Sequence, residues 1–98
     1  MAQSHFTQEM STLPARLQSF LNFPAWSQFP IMELATAGYF YLGFYDRIKC
    51  YSCGHTMMDY GGNNNQSIFS LHGKYQPDCQ NLRTLMGDSF VDSCKEPL

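Results

Sequence analysis

The sequence predicts a small α+β domain in which short helices flank a β-sheet. Segments near the start of the chain and past its middle carry apolar residues at three- and four-residue steps, which is typical of amphipathic helices. Between these segments, strand-forming residues cluster on both sides of a glycine-containing turn, which indicates a β-hairpin. The chain has 98 residues, so these elements belong to one domain.

The first helix is predicted to begin at Thr12, whose side chain can cap it, and Pro14 is accepted in the first turn. Its apolar face comprises Leu13, Leu17, Phe20 and Leu21. Phe23 precedes a proline and avoids the α region, so the helix ends there. A second short helix is predicted from Pro30 to Gly38, because glycine suits the left-handed position that follows a helix.

Three strands are predicted in the middle of the chain. Residues 39–42 and 47–51 are rich in strand formers, and residues 43–46 between them suit a hairpin turn. Residues 57–60 are a candidate third strand. Residues 61–65 consist of glycine and asparagine, so we expect a loop there.

Two more helical segments are predicted after this loop. A third helix begins at Gln66 or Ser67 and ends before Pro77. One face of this helix carries Ile68, Leu71, His72 and Tyr75. Residues 79–86 form a last helical segment, with apolar side chains at helical spacing.

We place the domain at residues 11–86, after a flexible lead-in at 1–10 and before a tail at 87–98 that has no strong pattern. Hydrophobic residues make up 44% of the chain and aromatic residues 15%, which is enough to build a core. A core of this size gives marginal stability by itself, so we expect a metal ion, a disulfide or a partner to add to it.

Charge and hydropathy argue against several partners. The net charge is −2 and the six Lys and Arg residues are scattered, whereas a nucleic-acid binder needs a basic patch. No apolar run approaches the roughly 20 residues that span a bilayer, so we expect no membrane partner. The first 20 residues lack the pattern of a secretory signal. We therefore expect a cytoplasmic protein whose cysteines stay reduced.

Three cysteines and one histidine have the spacing of a zinc site. Cys50 and Cys53 are separated by two residues, eighteen residues lead to His72, and six more lead to Cys79. A turn between the first pair directs both sulfurs to one point, and the predicted third helix brings the second pair. Four such ligands leave no open coordination position, so the pattern predicts one structural Zn²⁺ ion.

The sequence gives less support to other roles for its cysteines and histidines. A redox dithiol at Cys50 and Cys53 would normally open a helix after a strand of a parallel sheet, and here the pair follows a hairpin. His55 is too close to Cys53 to replace His72 comfortably, so we interpret it as a solvated loop residue. Cys94 could replace Cys79, but it falls in the weakly patterned tail, and we expect a free thiol.

The sequence contains no catalytic set. The acids Asp46, Asp59 and Asp78 fall in different segments, without paired spacing. No phosphate-binding glycine loop, nucleophile elbow or second metal set is present in these residues. We therefore expect no enzymatic activity.

The residues from Arg16 to Leu82, taken together, resemble the baculovirus IAP repeat (BIR) domain of the inhibitor-of-apoptosis proteins. The matching positions before the metal ligands are Arg16, Leu17, Phe20, Phe23, Pro24, Leu34, Ala35, Ala37, Gly38, Tyr39, Tyr41, Gly43, Asp46 and Ile48. The matching positions from the ligands onward are Cys50, Tyr51, Cys53, Gly54, Asp59, Tyr60, His72, Pro77 and Cys79.

The resemblance implies a three-stranded antiparallel sheet flanked by short helices, with zinc beside the sheet. It also implies a protein-binding module of an apoptosis inhibitor, whose partners are caspases, pro-death antagonists or signalling adaptors. In many family members a peptide that begins with alanine adds a strand beside the third strand. Carried over by position, the partner-binding residues are Thr56, Met57, Met58, Asp59, Tyr60, Gln66, Leu71 and Tyr75.

This chain departs from that peptide-binding pattern. Thr56 stands where groove-forming members usually have glycine, and Tyr60 and Tyr75 stand where they have tryptophan. Neutral residues 63–66 replace the acid that holds the ammonium group of the peptide. Docking of an adaptor, or self-association into a homodimer, therefore stays open as a second way of binding.

Two further functions stay open as alternatives. One is a structural subunit of a mitotic complex, as in single-repeat members with a long C-terminal helix. The other is the substrate-binding part of a larger RING-type ubiquitin ligase. The 98 residues contain no second Cys/His set, so we expect no ligase activity from them alone.

Overall fold

The computed structural model describes residues 7–26, 30–58 and 67–94. The strands of these residues form one antiparallel sheet in the order β1 (Tyr39–Tyr41), β2 (Ile48–Cys50) and β3 (Thr56–Met57). The helices are α1 (Leu13–Ser19), α2 (Ile31–Thr36), α3 (Ile68–Tyr75), α4 (Gln80–Met86) and α5 (Asp88–Cys94). The predicted α+β class with a three-stranded antiparallel sheet is confirmed.

Local sequence signals place the first two helices. The Thr12 side chain accepts a hydrogen bond from the backbone N–H of Ala15 at 3.3 Å, and Pro14 occupies the first turn of α1. Helix α2 begins after Pro30, as predicted. Gly38 has a φ of 108° and donates its N–H to the carbonyl of Ala35 at 3.1 Å, which ends α2 and turns the chain into β1.

The β1–β2 hairpin forms where it is predicted. Tyr39 lies opposite Cys50 and Tyr41 lies opposite Ile48. The N–H of Leu42 donates to the carbonyl of Arg47 at 2.9 Å and closes the turn.

Strand β3 pairs with β2 and begins one residue earlier than predicted, at Thr56. Met57 lies opposite Ile48 in this pairing. The second half of the predicted strand, residues 59–60, and the predicted loop at 61–65 lie outside the described residues.

The helices after the loop carry one difference from the prediction. Ser67 caps α3 by accepting from the N–H of Ser70 at 3.1 Å, and α4 follows as predicted. The predicted tail, however, contains α5, which packs against α3 and α4. Val91 is the one fully buried residue of α5, and Phe90 and Cys94 are half-buried, so the apolar pattern of this short segment is weak.

The predicted lead-in also makes ordered contacts. Residues Gln8–Met10 form a short 3₁₀ turn, and the N–H of Thr7 donates to the carbonyl of Tyr51 at 2.7 Å. The domain boundaries that we assigned from the sequence stay a prediction.

One core lies between the sheet and the helices. Its buried members are Phe20, Leu34, Ala35, Ala37, Tyr39, Ile48, Cys50, Ile68, Cys79, Leu82 and Val91. Because two cysteines belong to this set, the metal ligands are part of the hydrophobic core. Among the described residues, no helix is both long enough and apolar enough to cross a membrane.

Candidate metal centre and partner-binding surface

The four predicted ligands come from four different local structures. Cys50 is the last residue of β2, Cys53 lies in the turn that follows, His72 is on α3, and Cys79 is the N-cap of α4. The turn between the first two is closed by the N–H of Gly54, which donates to the carbonyl of Cys50 at 3.0 Å. Gly54 has a φ of 81°, which a side chain would disfavour.

The ligand atoms have the separations of a tetrahedral zinc site. One ligand atom from each residue can be chosen so that all four lie within 4.8 Å of one another. The Sγ atoms of Cys50 and Cys79 are 3.8 Å apart, and the Sγ of Cys53 is 3.5 Å from the Nε2 of His72. Zn–S bonds of about 2.3 Å in a tetrahedron place two sulfurs about 3.8 Å apart, so the residues fit the ion.

The donor set defines what the ion does. Three thiolates and one imidazole fill a tetrahedron, and Cys50, His72 and Cys79 are buried. No position is left for a water molecule that the metal could activate. The cluster is therefore the site of one structural zinc ion that joins β2, α3 and α4.

Protons compete with zinc for these ligands. In the metal-free protein burial lowers the pKa of His72, but hydrogen bonds to Cys50 and Cys79 and their charges outweigh burial and raise it to about 9. Hydrogen bonds from Cys50 and Cys53 hold the pKa of Cys79 below its usual value. A proton on the imidazole therefore competes with zinc for His72 in the folded site.

Two side chains that the sequence did not assign to the site lie against it. Tyr39 is fully buried, and its ring centroid is 4.7 Å from that of His72. Burial raises the pKa of the Tyr39 phenol, so its O–H stays protonated, and the hydroxyl and the Nδ1 of His55 form a hydrogen bond of 3.1 Å. Burial also lowers the pKa of His55, which keeps that ring neutral.

The interpretation of His55 as a solvated loop residue is wrong. His55 is half-buried, and its ring lies nearly parallel to those of His72 and Tyr75, with centroids 6.2 and 6.0 Å away. The partners that bury it come from β1 and α3, which are distant in sequence. The sequence therefore carried no local signal for this contact.

Cys94 lies outside the ligand cluster and is a free thiol, as predicted. It is half-buried against α3, at the point where Gly73 leaves room for it. A Cβ atom at Gly73 would lie 2.8 Å from the Sγ of Cys94. The thiol is thus a packing residue between α3 and α5.

The predicted partner-binding residues on and near β3 differ in solvent exposure. Thr56 is exposed, Met58 is half-buried, and Tyr75 is 55% exposed. Met57 packs against the core, as strand alternation requires for one of the two methionines, and Leu71 is buried. Asp59, Tyr60 and Gln66 lie outside the described residues, so their predicted role is untested.

The geometry defines a small α+β domain that is stabilised by one structural zinc ion. The family model "BIR: Inhibitor of Apoptosis domain" matches residues 16–83. This chain therefore belongs to the BIR family of inhibitor-of-apoptosis domains, and the family assignment made from the sequence is confirmed.

Curated relatives carry the same domain. "E3 ubiquitin-protein ligase XIAP" of Xenopus tropicalis is 41% identical over 71 residues, which cover 72% of this chain and 14% of that protein. "Baculoviral IAP repeat-containing protein 7" of Xenopus tropicalis is 31% identical over 81 residues, which cover 83% of this chain and 22% of that protein. The chain thus spans a small part of the length of the relatives that it matches.

Solved structures share the fold. The crystal structure of DIAP1 BIR1 bound to a Grim peptide superposes with a TM-score of 0.66 at 21% identity, covering 91% of this chain and 95% of that one. Autoinhibited dIAP1-BIR1 superposes with a TM-score of 0.67 at 20% identity, covering 94% and 92%. At these identities the likeness shows the fold alone.

Proposed function

We propose that this chain is the partner-binding module of an apoptosis inhibitor and that it takes a segment of another protein as an added strand beside β3. The observation that carries this proposal is the direction of the Thr56 backbone. Cys50 donates its N–H to the carbonyl of His55 at 2.8 Å, which makes these two a hydrogen-bonded pair. The next pair, Lys49 and Thr56, is then non-hydrogen-bonded, so the N–H and C=O of Thr56 face away from β2.

The opposite edge of the sheet is already covered. The N–H of Tyr41 on β1 donates to the Oγ of Ser19 on α1 at 2.9 Å, and α1 packs along β1. Within the described residues β3 pairs with β2 alone. An incoming strand would therefore find its hydrogen-bonding groups at β3.

The side chains near this edge favour an apolar partner segment. Met58 is half-buried, and Tyr75 is exposed, with the Nζ of Lys74 5.5 Å from its ring centroid. Leu71 is buried, so we propose that it supports the surface from beneath. Caspases, pro-death antagonists and signalling adaptors are the proposed partners, and the Grim peptide bound by DIAP1 BIR1 supports the second of these.

A calorimetric titration tests this function. The zinc-loaded domain is titrated with the peptide Ala-Val-Pro-Ile and with its N-acetylated form. Binding of the free-amine peptide alone, with NMR shifts centred on β3, supports strand addition with recognition of the ammonium group. Equal binding of both peptides supports strand addition without recognition of the ammonium group. Binding of either peptide far from β3 contradicts the proposal.

A pair of variants at one position sharpens this test. Thr56→Pro removes the outward N–H, and Thr56→Ala keeps it. We expect the proline variant to lose peptide binding by tenfold or more and the alanine variant to bind close to normally. Equal affinities would show that the Thr56 N–H takes no part.

Adaptor docking or self-association is the second candidate. The side chains of Thr56, Met57, Met58 and Tyr75 carry no carboxylate that could hold an ammonium group, and methionine adapts to varied apolar partners. Sedimentation of the zinc-loaded domain at rising concentration tests self-association. A homodimer that Met58→Glu disrupts would support this candidate, and a monomer that binds the free-amine peptide would favour strand addition.

We also propose that the chain can serve as the substrate-binding part of a longer ubiquitin ligase. The support is the name of the XIAP relative, of which the match covers 14%. Incubation of the chain with ubiquitin, E1 and E2 enzymes tests its share of that activity. We expect no ubiquitin chains from it, because these 98 residues contain no second Cys/His set that could form a RING domain.

We propose a cytoplasmic location because of the redox state that the zinc ligands need. Three thiolates must stay reduced to hold zinc, and a reducing compartment keeps them so. Imaging of a fluorescent fusion tests the location, and a fusion found mainly in a secretory compartment would contradict it.

A further inference from the structure

Within residues 7–26, 30–58 and 67–94, the zinc ligand His72 lacks the hydrogen bond that usually orients such a residue. Its Nε2 faces the Sγ of Cys53 at 3.5 Å, and its Nδ1 is buried. A metal-bound histidine normally donates its second ring N–H to a carboxylate, a carbonyl or water, and that bond fixes the ring. The described residues offer the Nδ1 of His72 no such partner.

Two other rings lie close to the His72 ring. The Tyr39 ring lies 4.7 Å from the His72 ring at an interplanar angle of 47°. The His55 ring lies 6.2 Å from it, at an angle of 18°. The hydrogen bond between the Tyr39 hydroxyl and the Nδ1 of His55, at 3.1 Å, ties the two rings together. Tyr39 and His55 thus form a linked pair of rings against the ligand imidazole.

The pair is itself anchored on both sides. Tyr39 belongs to β1 and is fully buried, so its ring cannot move without opening the core. His55 is held through its backbone carbonyl, which accepts from the N–H of Cys50 at 2.8 Å, and its outer neighbour is the ring of Tyr75, 6.0 Å away. The rings are therefore fixed by the sheet and by α3 in the folded domain.

We propose that Tyr39 and His55 are positioning residues that hold the His72 imidazole by ring packing, in place of a hydrogen bond, and that they set how slowly the domain releases zinc. Release begins when one ligand leaves the ion and water or another ligand takes its place. A His72 ring that is held by Tyr39 and His55 rebinds zinc before water or another ligand can take its place. A ring with free space beside it swings away and leaves zinc open to capture.

Zinc release into an excess of the chelator 4-(2-pyridylazo)resorcinol tests this role, with unchanged circular dichroism as the check on folding. We expect His55→Ala to release zinc about tenfold faster than the unaltered chain, the lower end of the effect of losing the support of a metal ligand. His55→Phe keeps a flat ring but loses the hydrogen bond to Tyr39, so its rate should be close to that of Tyr39→Phe and clearly below that of His55→Ala. A His55→Ala rate equal to the normal one overturns the proposal, and so does a His55→Phe rate as fast as that of His55→Ala.

Tyr39→Phe covers the case in which His55→Ala fails to fold, because it removes one oxygen atom and keeps the buried ring. It frees the His55 ring, so zinc release should quicken, although by less than in His55→Ala. Tyr45→Ala is the matched control, since Tyr45 is a 73% exposed aromatic residue on the β1–β2 turn. A Tyr39→Phe rate no faster than that of this control contradicts the proposal.

Cobalt substitution separates positioning from general loosening. In the Co²⁺ protein the Nδ1–H of His72 should give a shifted proton resonance that exchanges with water. We expect this resonance to broaden in His55→Ala, while the visible bands of the three-sulfur, one-nitrogen site keep their wavelengths. A change in those bands would mean that His55 is itself a ligand, which would overturn the positioning role.

Discussion

Arg16 shows how a single side chain can organise the first half of this domain. It is a buried cation whose Nε donates to the carbonyl of Ala35 at 2.8 Å and whose NH1 donates to that of Met10 at 3.0 Å. Its guanidinium also lies 4.7 Å from the ring centroid of Tyr51. Both of these hydrogen-bond acceptors are backbone carbonyls. One residue thereby joins α1, α2 and the turn after β2.

Replacement of Arg16 should be costly because both carbonyls lose their donor. Arg16→Ala is expected to lower the free energy of unfolding by about 3 kcal/mol. Arg16→Lys keeps the charge but cannot reach two carbonyls in different directions, so about half of that loss should remain. Urea unfolding of the zinc-loaded domain measures both. Equal stability of the lysine variant and the unaltered chain would show that the charge alone matters.

His72 gives the metal site a defined pH dependence. In the folded site the hydrogen bonds and charges of Cys50 and Cys79 outweigh burial and raise the pKa of His72, so a proton on the imidazole competes with zinc there. Protons compete with the metal, so zinc affinity should fall as the pH is lowered from 9 to 6. We expect a change of at least about tenfold per pH unit, from one released proton. Competition titrations in buffers across this range measure it, and a flat profile would contradict the competition.

At the scale of elements, α5 shows how tertiary packing creates a helix. Val91 is fully buried, and Arg83 on α4 pairs with Asp88 at 2.9 Å and with Asp92 at 3.0 Å. These ion pairs are exposed and contribute little. The close approach of α5 to α3, which bears His72, depends on Gly73, whose missing side chain makes room for Cys94.

Gly73→Ala tests that approach. Alanine favours a helix over glycine by about 1 kcal/mol, but its Cβ would lie 2.8 Å from the Sγ and 3.0 Å from the Cβ of Cys94. Overpacking of about 1–3 kcal/mol should outweigh the gain, so the free energy of unfolding should fall.

Cys94→Ala provides the partner for a double-mutant cycle. This variant removes the sulfur that the alanine would meet. Gly73→Ala should therefore lower the free energy of unfolding by less in the Cys94→Ala protein than in the unaltered chain, with a coupling energy of about 1 kcal/mol. Urea unfolding of the four proteins gives this value. A Gly73→Ala variant more stable than the unaltered chain would mean that α5 shifts without cost.

At the scale of the whole molecule, the zinc ion lies in the core and joins the sheet to α3 and α4. Removal of zinc by a chelator should abolish the cooperative thermal transition and most of the helical circular dichroism, because binding energy is folding energy in such sites. Cys79→Ser should do the same, whereas Cys94→Ser should retain one zinc per chain and its transition. A cooperative transition that survives chelation would contradict a structural role.

Local sequence signals predict much of this architecture. Thr12, Pro30 and Gly38 mark helix ends through caps and special backbone angles, which act within a few residues. The hairpin and α3 follow from residue type and spacing for the same reason. The ligand set was also predictable, because the cysteine pair and the positions of His72 and Cys79 reflect the geometry of one ion.

The sequence by itself determined the α+β class, the zinc ligands and the BIR family, because each depends on short-range pattern or on residue identity. Only the tertiary structure decided that residues 88–94 are helical, that His55 is half-buried against Tyr39 and His72, and that the Thr56 backbone faces outward. These features depend on contacts between segments far apart in the chain, and such contacts leave no periodic trace in either segment. Packing therefore decided the surroundings of the metal, and local chemistry decided the metal itself.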